Sequence, residues 1–152
     1  MPTDRGTAIA CAGRAISWLE RLPFDALAIL ARLGLAGVFW RAGQAKVDGW
    51  QVTEFTVMLF RDEYQVPIIP PELAAHLAAA VEHLGPVLLV LGLATRFGAA
   101  ALLGMTLIIQ VFVFPQSWPE HAVWATGLVL LFARGPGRVS VDHLIRQRLL
   151  GS

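Results

Sequence analysis

An acid and an imidazole stand side by side at Glu82 and His83, inside the apolar run "HLAAAVEHLGPVLLVLGLATR" that covers residues 76–96. A carboxylate there can hold a cation, accept a hydrogen bond or exchange a proton, and an imidazole can shuttle protons or ligate a metal. Arg32, Lys46, Gln110 and His121 are the other polar groups set in or beside apolar runs. Counting 1.5 Å per residue puts Glu82 and His83 near the middle of a bilayer, Arg32 about 4 Å to one side and Gln110 about 6 Å to the other. An ionised group at that depth costs about 2.5–3.5 kcal/mol on insertion scales, so opposite charges are expected to face each other. Arg32 is therefore expected to pair with Glu82. Such a pair can fix helix register or can handle a ligand or a proton. His83 reads as a hydrogen-bonded neutral imidazole. His76 and His83 share a stripe but lie about 10 Å apart along a helix axis, so they cannot hold one metal. His76 with His121 is the remaining pairing, and no His, Cys or carboxylate set has convincing ligand spacing, so no metal site is expected.

Four apolar segments must position these groups: residues 24–45, 72–93, 97–114 and 119–133. A span takes about 20 residues, with roughly 17 to 25 tolerated. The first three qualify, and the fourth is short unless its ends reach the interface. At 100° per residue, Arg32, Phe39 and Lys46 share one stripe of the first helix with Gly43 beside it, and Arg41 falls on the other face. On the second helix Ala74, Ala78, Glu82 and Gly85 share a face, small enough for close packing. Pro86 is tolerable there because neighbours can take up the freed carbonyl.

The chain has 152 residues, 56% of them hydrophobic and 15% charged, with a mean hydropathy of +0.61. That composition is more apolar than a soluble domain. The net charge of +1 gives no case for nucleic acid. Cys11 is the single cysteine, which excludes an intrachain disulfide and leaves a small inert thiol. "AIAC" ending at Cys11 lacks the preceding apolar run of a lipoprotein signal. Arg5, Arg14, Arg21, Arg96, Arg134, Arg138, Arg146 and Arg148 fall on one side of the four segments. Arg41, Lys46 and Arg61 fall on the other, among six carboxylates. Both termini are therefore expected in the cytoplasm.

The connections add detail. Ile9, Ala12, Ile16 and Leu19 recur at helical spacing before Pro23, which predicts an amphipathic arm over residues 1–23 lying on the inner surface. Thr95 in "TRFG" is expected to cap the third helix, and the Gly-Pro-Gly at 135–137 to stop the fourth. Phe55, Met58 and Leu59 predict an outer interfacial helix, with Trp50, Trp118 and Trp124 anchoring at the headgroups.

These residues also resemble a known family. "RLGLAGVFWRAGQAKV" carries Arg32, Phe39, Gly43 and Lys46, and "EHLGPVLLVLGLATR" carries Glu82, Gly85, Gly92, Thr95 and Arg96. "GPGRVSVD" adds Gly135, Pro136, Gly137, Arg138, Ser140 and Asp142. Over residues 28–142 the chain resembles the DoxX family of small four-span bacterial membrane proteins. The resemblance implies an all-α integral membrane four-helix bundle over residues 24–134, with a cytoplasmic tail at 135–152. Relatives include the small membrane subunit of thiosulfate:quinone oxidoreductase, which implies work beside quinones. No flavin, haem or iron–sulfur signature is present, so a soluble or membrane redox partner is expected to carry the electrons, with the chain as a non-catalytic subunit. The ligand-pocket candidates are Arg32, Lys46, Glu82, His83, Gln110 and His121, with Lys46 and Gln110 lining an outward-facing pocket. A small-solute or proton pathway is the rival reading, and a membrane scaffold recruiting a soluble enzyme is another.

Overall fold

The computed structural model describes residues 22–151. The amphipathic arm predicted before Pro23, with Cys11, lies outside the described residues except for Leu22 and Pro23 themselves.

Helix α1 covers Phe24–Gln44, with Asp25 in its first turn where a negative charge complements the helix dipole. An antiparallel hairpin follows, β1 at Val47–Asp48 and β2 at Gln51–Val52, with Val47 opposite Val52. Two-residue strands leave no alternation to read, and the sequence reading contains no strand. Helix α2, Glu54–Leu59, is capped by the Thr53 hydroxyl and runs into a π-helical turn at Phe60–Tyr64. Phe55 and Met58 on it are exposed. Helix α3 is Pro71–Leu91, opened by a proline whose missing N–H is no loss in the first turn. Helix α4, Thr95–Ile108, continues as a π-helical turn at Ile109–Val113. After a 3₁₀ turn at Pro115–Ser117, helix α5 covers Trp118–Arg134. Helix α6, Val141–Leu150, lies in what the sequence suggested was only a tail; the Ser140 hydroxyl accepts from His143 N at its start.

The four long helices pack in a ring: α1 on α3, α3 on α4, α4 on α5, and α5 back on α1. Leu35, Phe39, Leu89, Leu102, Leu128 and Leu131 form the core between them. The outward faces are apolar too, with Leu30, Leu84, Phe97 and Val123 each more than 60% exposed. A surface of that kind needs lipid rather than water around it. Phe24–Gln44, Pro71–Leu91 and Thr95–Val113 are each long and apolar enough to cross a bilayer. At 17 residues α5 is shorter than any of these three stretches. The fold is that of an all-α membrane protein with one small hairpin.

One end of the bundle is tied together by the tail. Helix α3 stops at Gly92, whose φ of +64° is the left-handed conformation that glycine adopts without a Cβ penalty. Gly92 N donates to Leu89 O and Leu93 N to Leu88 O, which closes the helix end as a Schellman turn. A Cβ at Gly92 would lie 2.5 Å from Ser140 Cβ, so space as well as φ demands glycine. The expected cap of the next helix is corrected here. Thr95 is its first helical residue, and Asp142 supplies the cap, its two carboxylate oxygens accepting from Ala94 N at 2.7 Å and Thr95 N at 3.0 Å. A carboxylate at this N-terminus meets both the free N–H groups and the dipole, which a hydroxyl does less well.

Candidate functional site

The expected Arg32–Glu82 pair does not form. Arg32 donates to four backbone carbonyls instead: Leu89 O, Val90 O and Val139 O at 2.6 Å each, and Pro136 O at 3.2 Å. The physical reason is the end of α3. The Schellman turn leaves Val90 O with no described backbone donor and Leu89 O with Gly92 N, and a planar guanidinium fork reaches both while spanning to the tail. Arg32 is 5% exposed, each of its three guanidinium nitrogens donates, and it does not line the cavity described next.

Glu82 pairs with Lys46. The Lys46 ammonium is 2.9 Å from Glu82 Oε1 and 2.7 Å from Oε2, and it also donates to Ala42 O at 3.3 Å. Helical phase places both groups on facing stripes, and Lys46 lies beyond the end of α1, where its stem can bend back toward α3. Glu82 is 1% exposed and Lys46 18%. Oε1 accepts a well-directed hydrogen bond, whereas Oε2 is close to the ammonium without one and no other described donor serves it. Buried carboxylate oxygens usually have such a donor. Pro86, four residues on, also cannot donate to the Glu82 backbone carbonyl.

Beside this pair is a cavity of about 400 Å³. Ala74, Ala78 and Val81 of α3 wall it on one side, and Gly104, Met105 and Ile108 of α4 on the other. Phe60, Tyr64 and Phe114 close it, with the Tyr64 ring edge-on to Phe60 at 5.1 Å and to Phe114 at 5.7 Å. Lys46 and Glu82 are the charged groups in its lining. Burial pushes the Tyr64 phenol up, and the Glu63 and Glu82 carboxylates push it the same way. The volume falls within the range of small-molecule sites, which are largely apolar with few polar groups to set orientation.

The other predicted residues lie elsewhere. Gln110 was expected in the pocket, but the π-helical turn carries Ile109 and Val113 into the lining. Gln110 instead donates to Pro115 O at 2.9 Å and accepts from His121 Nδ1 at 2.7 Å. His121 is buried beside Trp124, at 5.1 Å between rings. Trp124 packs edge-on against Phe39. His83 turns to the far side of Glu82. Its Nδ1 donates to Ala79 O at 2.7 Å, its Nε2 accepts from Gln44 Nε2 at 2.9 Å, and Trp40 meets the ring at 5.1 Å. A Cβ at Gly43 would lie 2.8 Å from His83 Cε1, so that glycine makes room for the imidazole. Tyr64, Met105 and Phe114 were not picked out from the sequence. Tyr64 ends an irregular turn with no period, and Met105 and Phe114 lie in an apolar run where composition alone does not separate cavity from lipid.

Residues 27–115 match the family model described as DoxX. A protein of Haemophilus influenzae, described as an uncharacterized protein, is 27% identical over 132 residues, covering 78% of this chain and 83% of its own length. No solved structure matches. The matched residues include α1 from Leu27 onward, the hairpin, both walls of the cavity and the Lys46–Glu82 pair, and they end before α5 and the tail. With more than half of its length matched, the chain belongs to the DoxX family.

Proposed function

We propose that this chain is a four-span protein of the bacterial inner membrane, with both termini in the cytoplasm, that receives a quinone-class molecule beside Lys46 and Glu82 and serves a redox assembly with a separate electron-carrying partner. The reading rests chiefly on one observation: an apolar cavity of about 400 Å³ with a buried charged pair in its wall. A quinone head presents two oxygens and a lipid-soluble tail. The Lys46 ammonium is a donor for a carbonyl oxygen, and Glu82 Oε2 is an acceptor for the hydroxyl of the reduced form. The tail would leave between the apolar faces of α3 and α4.

In this reading α5 completes the bundle as a fourth span over residues 24–134. The tail from residue 135 onward returns to the cytoplasm. The arginine-rich flanks support that orientation. Reporter fusions after Gln65 should read as outside and fusions after Ser152 as cytoplasmic; the opposite signals refute it. A proton or solute pathway fits less well. Leu35, Ala36 and Phe39 on α1, with Gly85 and Pro86 on α3, are buried between the cavity and Arg32 and offer no polar side-chain atoms.

The test is extraction of lipids from protein purified in mild detergent, with quinone quantified by mass spectrometry against the membrane pool. Quinone should be enriched in the native protein and fall to the pool's share in Glu82→Gln, whose melting temperature should drop by only a few degrees, as a loss of about 1 kcal/mol implies. Equal quinone in both proteins at the pool's share refutes the reading.

A further inference from the structure

The opposite end of the bundle holds a second groove, of about 560 Å³, where the start of α1, the α3–α4 turn, the end of α5 and the tail meet. Four arginines line it: Arg96, Arg134, Arg138 and Arg146. The ion pairs among the described residues are Lys46–Glu82 and Arg61–Glu72, so none of these four guanidinium groups is within salt-bridge distance of a described carboxylate. The two aspartates in the groove are already engaged. Asp142 caps α4 through both oxygens, and Asp25 Oδ1 accepts from Arg138 N at 2.7 Å. The Arg134 guanidinium lies 5.4 Å from the centre of the Phe24 ring, a cation–π contact that holds its head at the groove wall. The lip is apolar: Phe97 is 80% exposed where α4 begins, and Leu144 and Ile145 of α6 are exposed nearby in the tail.

We infer that this groove binds the phosphate of an anionic phospholipid headgroup, with the acyl chains running out over Phe97 along α4. Three features favour a lipid over a soluble anion. The groove sits at the end of a helix long enough to span, which is headgroup depth. Its charge is carried by guanidinium groups, whose planar donors match phosphate oxygens in pairs. Phe97, exposed in the groove's lining, gives acyl chains an apolar surface beside the charged groups. The site is independent of the quinone reading, since none of its residues lines the first cavity.

The experiment uses the full chain in nanodiscs or mild detergent and reads lipid binding by native mass spectrometry and melting temperature. Phosphatidylglycerol is compared with phosphatidylcholine, with inorganic phosphate as competitor. Phosphatidylglycerol should bind preferentially and raise the melting temperature, and millimolar inorganic phosphate should not displace it. The variant Arg134→Gln/Arg138→Gln/Arg146→Gln should lose on the order of a hundredfold in affinity, at about fivefold per arginine near an anionic surface. Arg148→Gln, outside the groove, should bind as the native protein does. A photoactivatable phosphatidylglycerol should label peptides from 94–97 and 134–146 in the unmodified protein, which keeps the test independent of how the variant folds. Equal binding of the two lipids, or labelling confined to other helices, overturns the inference. Displacement by inorganic phosphate alone makes this a soluble-anion site and overturns the lipid assignment.

Discussion

Arg32 and Lys46 mark the two ends of one buried stripe, and the protein treats these cations in opposite ways. Around Arg32 the guanidinium spends its donors on backbone carbonyls of α3 and the tail. No side-chain carboxylate is needed, and Gly92 and Ser140 crowd in so closely that a methyl group would not fit. Around Lys46 the charge is met by one carboxylate, one of whose oxygens has no directed donor, and open space lies next to it. The difference separates two uses of buried charge. A cation saturated by main-chain acceptors is a clamp, and its surroundings hold no room for a ligand. A pair left partly unsatisfied at a cavity wall can exchange its internal contacts for contacts to a guest.

The largest expected effect tests the clamp. Arg32→Gln removes the guanidinium donors to Val90 O and Val139 O together, along with one of the two donors to Leu89 O, and acceptors left without donors cost about 1–3 kcal/mol each. Allowing for partial hydration at the rim, the bundle should lose roughly 3 kcal/mol or more. Arg32→Lys should recover only a minor part, because a single ammonium cannot span the same carbonyls. Thermal melts of detergent-solubilised protein measure this. A loss smaller than that of Glu82→Gln would invert the comparison.

Both ends were partly legible in the sequence. Phase alone put Arg32, Phe39 and Gly43 on one buried face of α1, and Ala74, Ala78, Glu82 and Gly85 on the facing side of α3. Depth and charge then matched the wrong partners. A cost argument favours joining a buried cation to a buried anion, but it is blind to main-chain carbonyls, which carry no residue identity. Arg32 found its acceptors in a helix terminus and in a tail more than a hundred residues away, and only the folded Gly92 turn exposes them. Lys46 was placed on the right stripe, but the sequence gives no rule for how a chain bends after a helix ends. The cavity was harder still. Its wall depends on two π-helical turns, and no periodic pattern announces where an extra residue enters a turn. The Asp142 cap was visible as a residue of the tail motif, yet its target lies on a different helix, beyond the reach of local capping rules.

Double-mutant cycles sharpen the comparison at an intermediate scale. Lys46 and Glu82 touch, so Lys46→Gln and Glu82→Gln should be coupled by about 1 kcal/mol in melting free energy. Glu82→Gln alone should cost only about 1 kcal/mol, because Lys46 is partly exposed and can swing its ammonium toward the headgroups. Arg32 and Glu82 share no partner, so their combined cost should be additive to within about 0.5 kcal/mol. Strong coupling between Arg32 and Glu82 would mean that the two ends communicate through the Leu35–Phe39 stretch of α1, and the division into clamp and site would fail.

The smallest effect is expected at His83, although it adjoins Glu82 in the chain. Its Nδ1 donates to Ala79 O, a carbonyl that the helix ladder already serves through the backbone N–H four residues on. Its Nε2 accepts from Gln44, whose exposed amide can turn to water when the ring is gone. His83→Asn therefore strands no buried polar group, and it keeps a side chain over Gly43, so the loss should stay within about 1 kcal/mol. Because the imidazole faces Trp40 and Gln44 and is absent from the cavity lining, quinone recovered with the protein should be unchanged. Glu82→Gln and His83→Asn thus form a matched pair of neighbours, one expected to empty the cavity and one to leave it filled. If His83→Asn empties the cavity at an unaltered melting temperature, the site extends through Glu82 to the Trp40 side of α1, and the boundary between guest contacts and packing must be redrawn there.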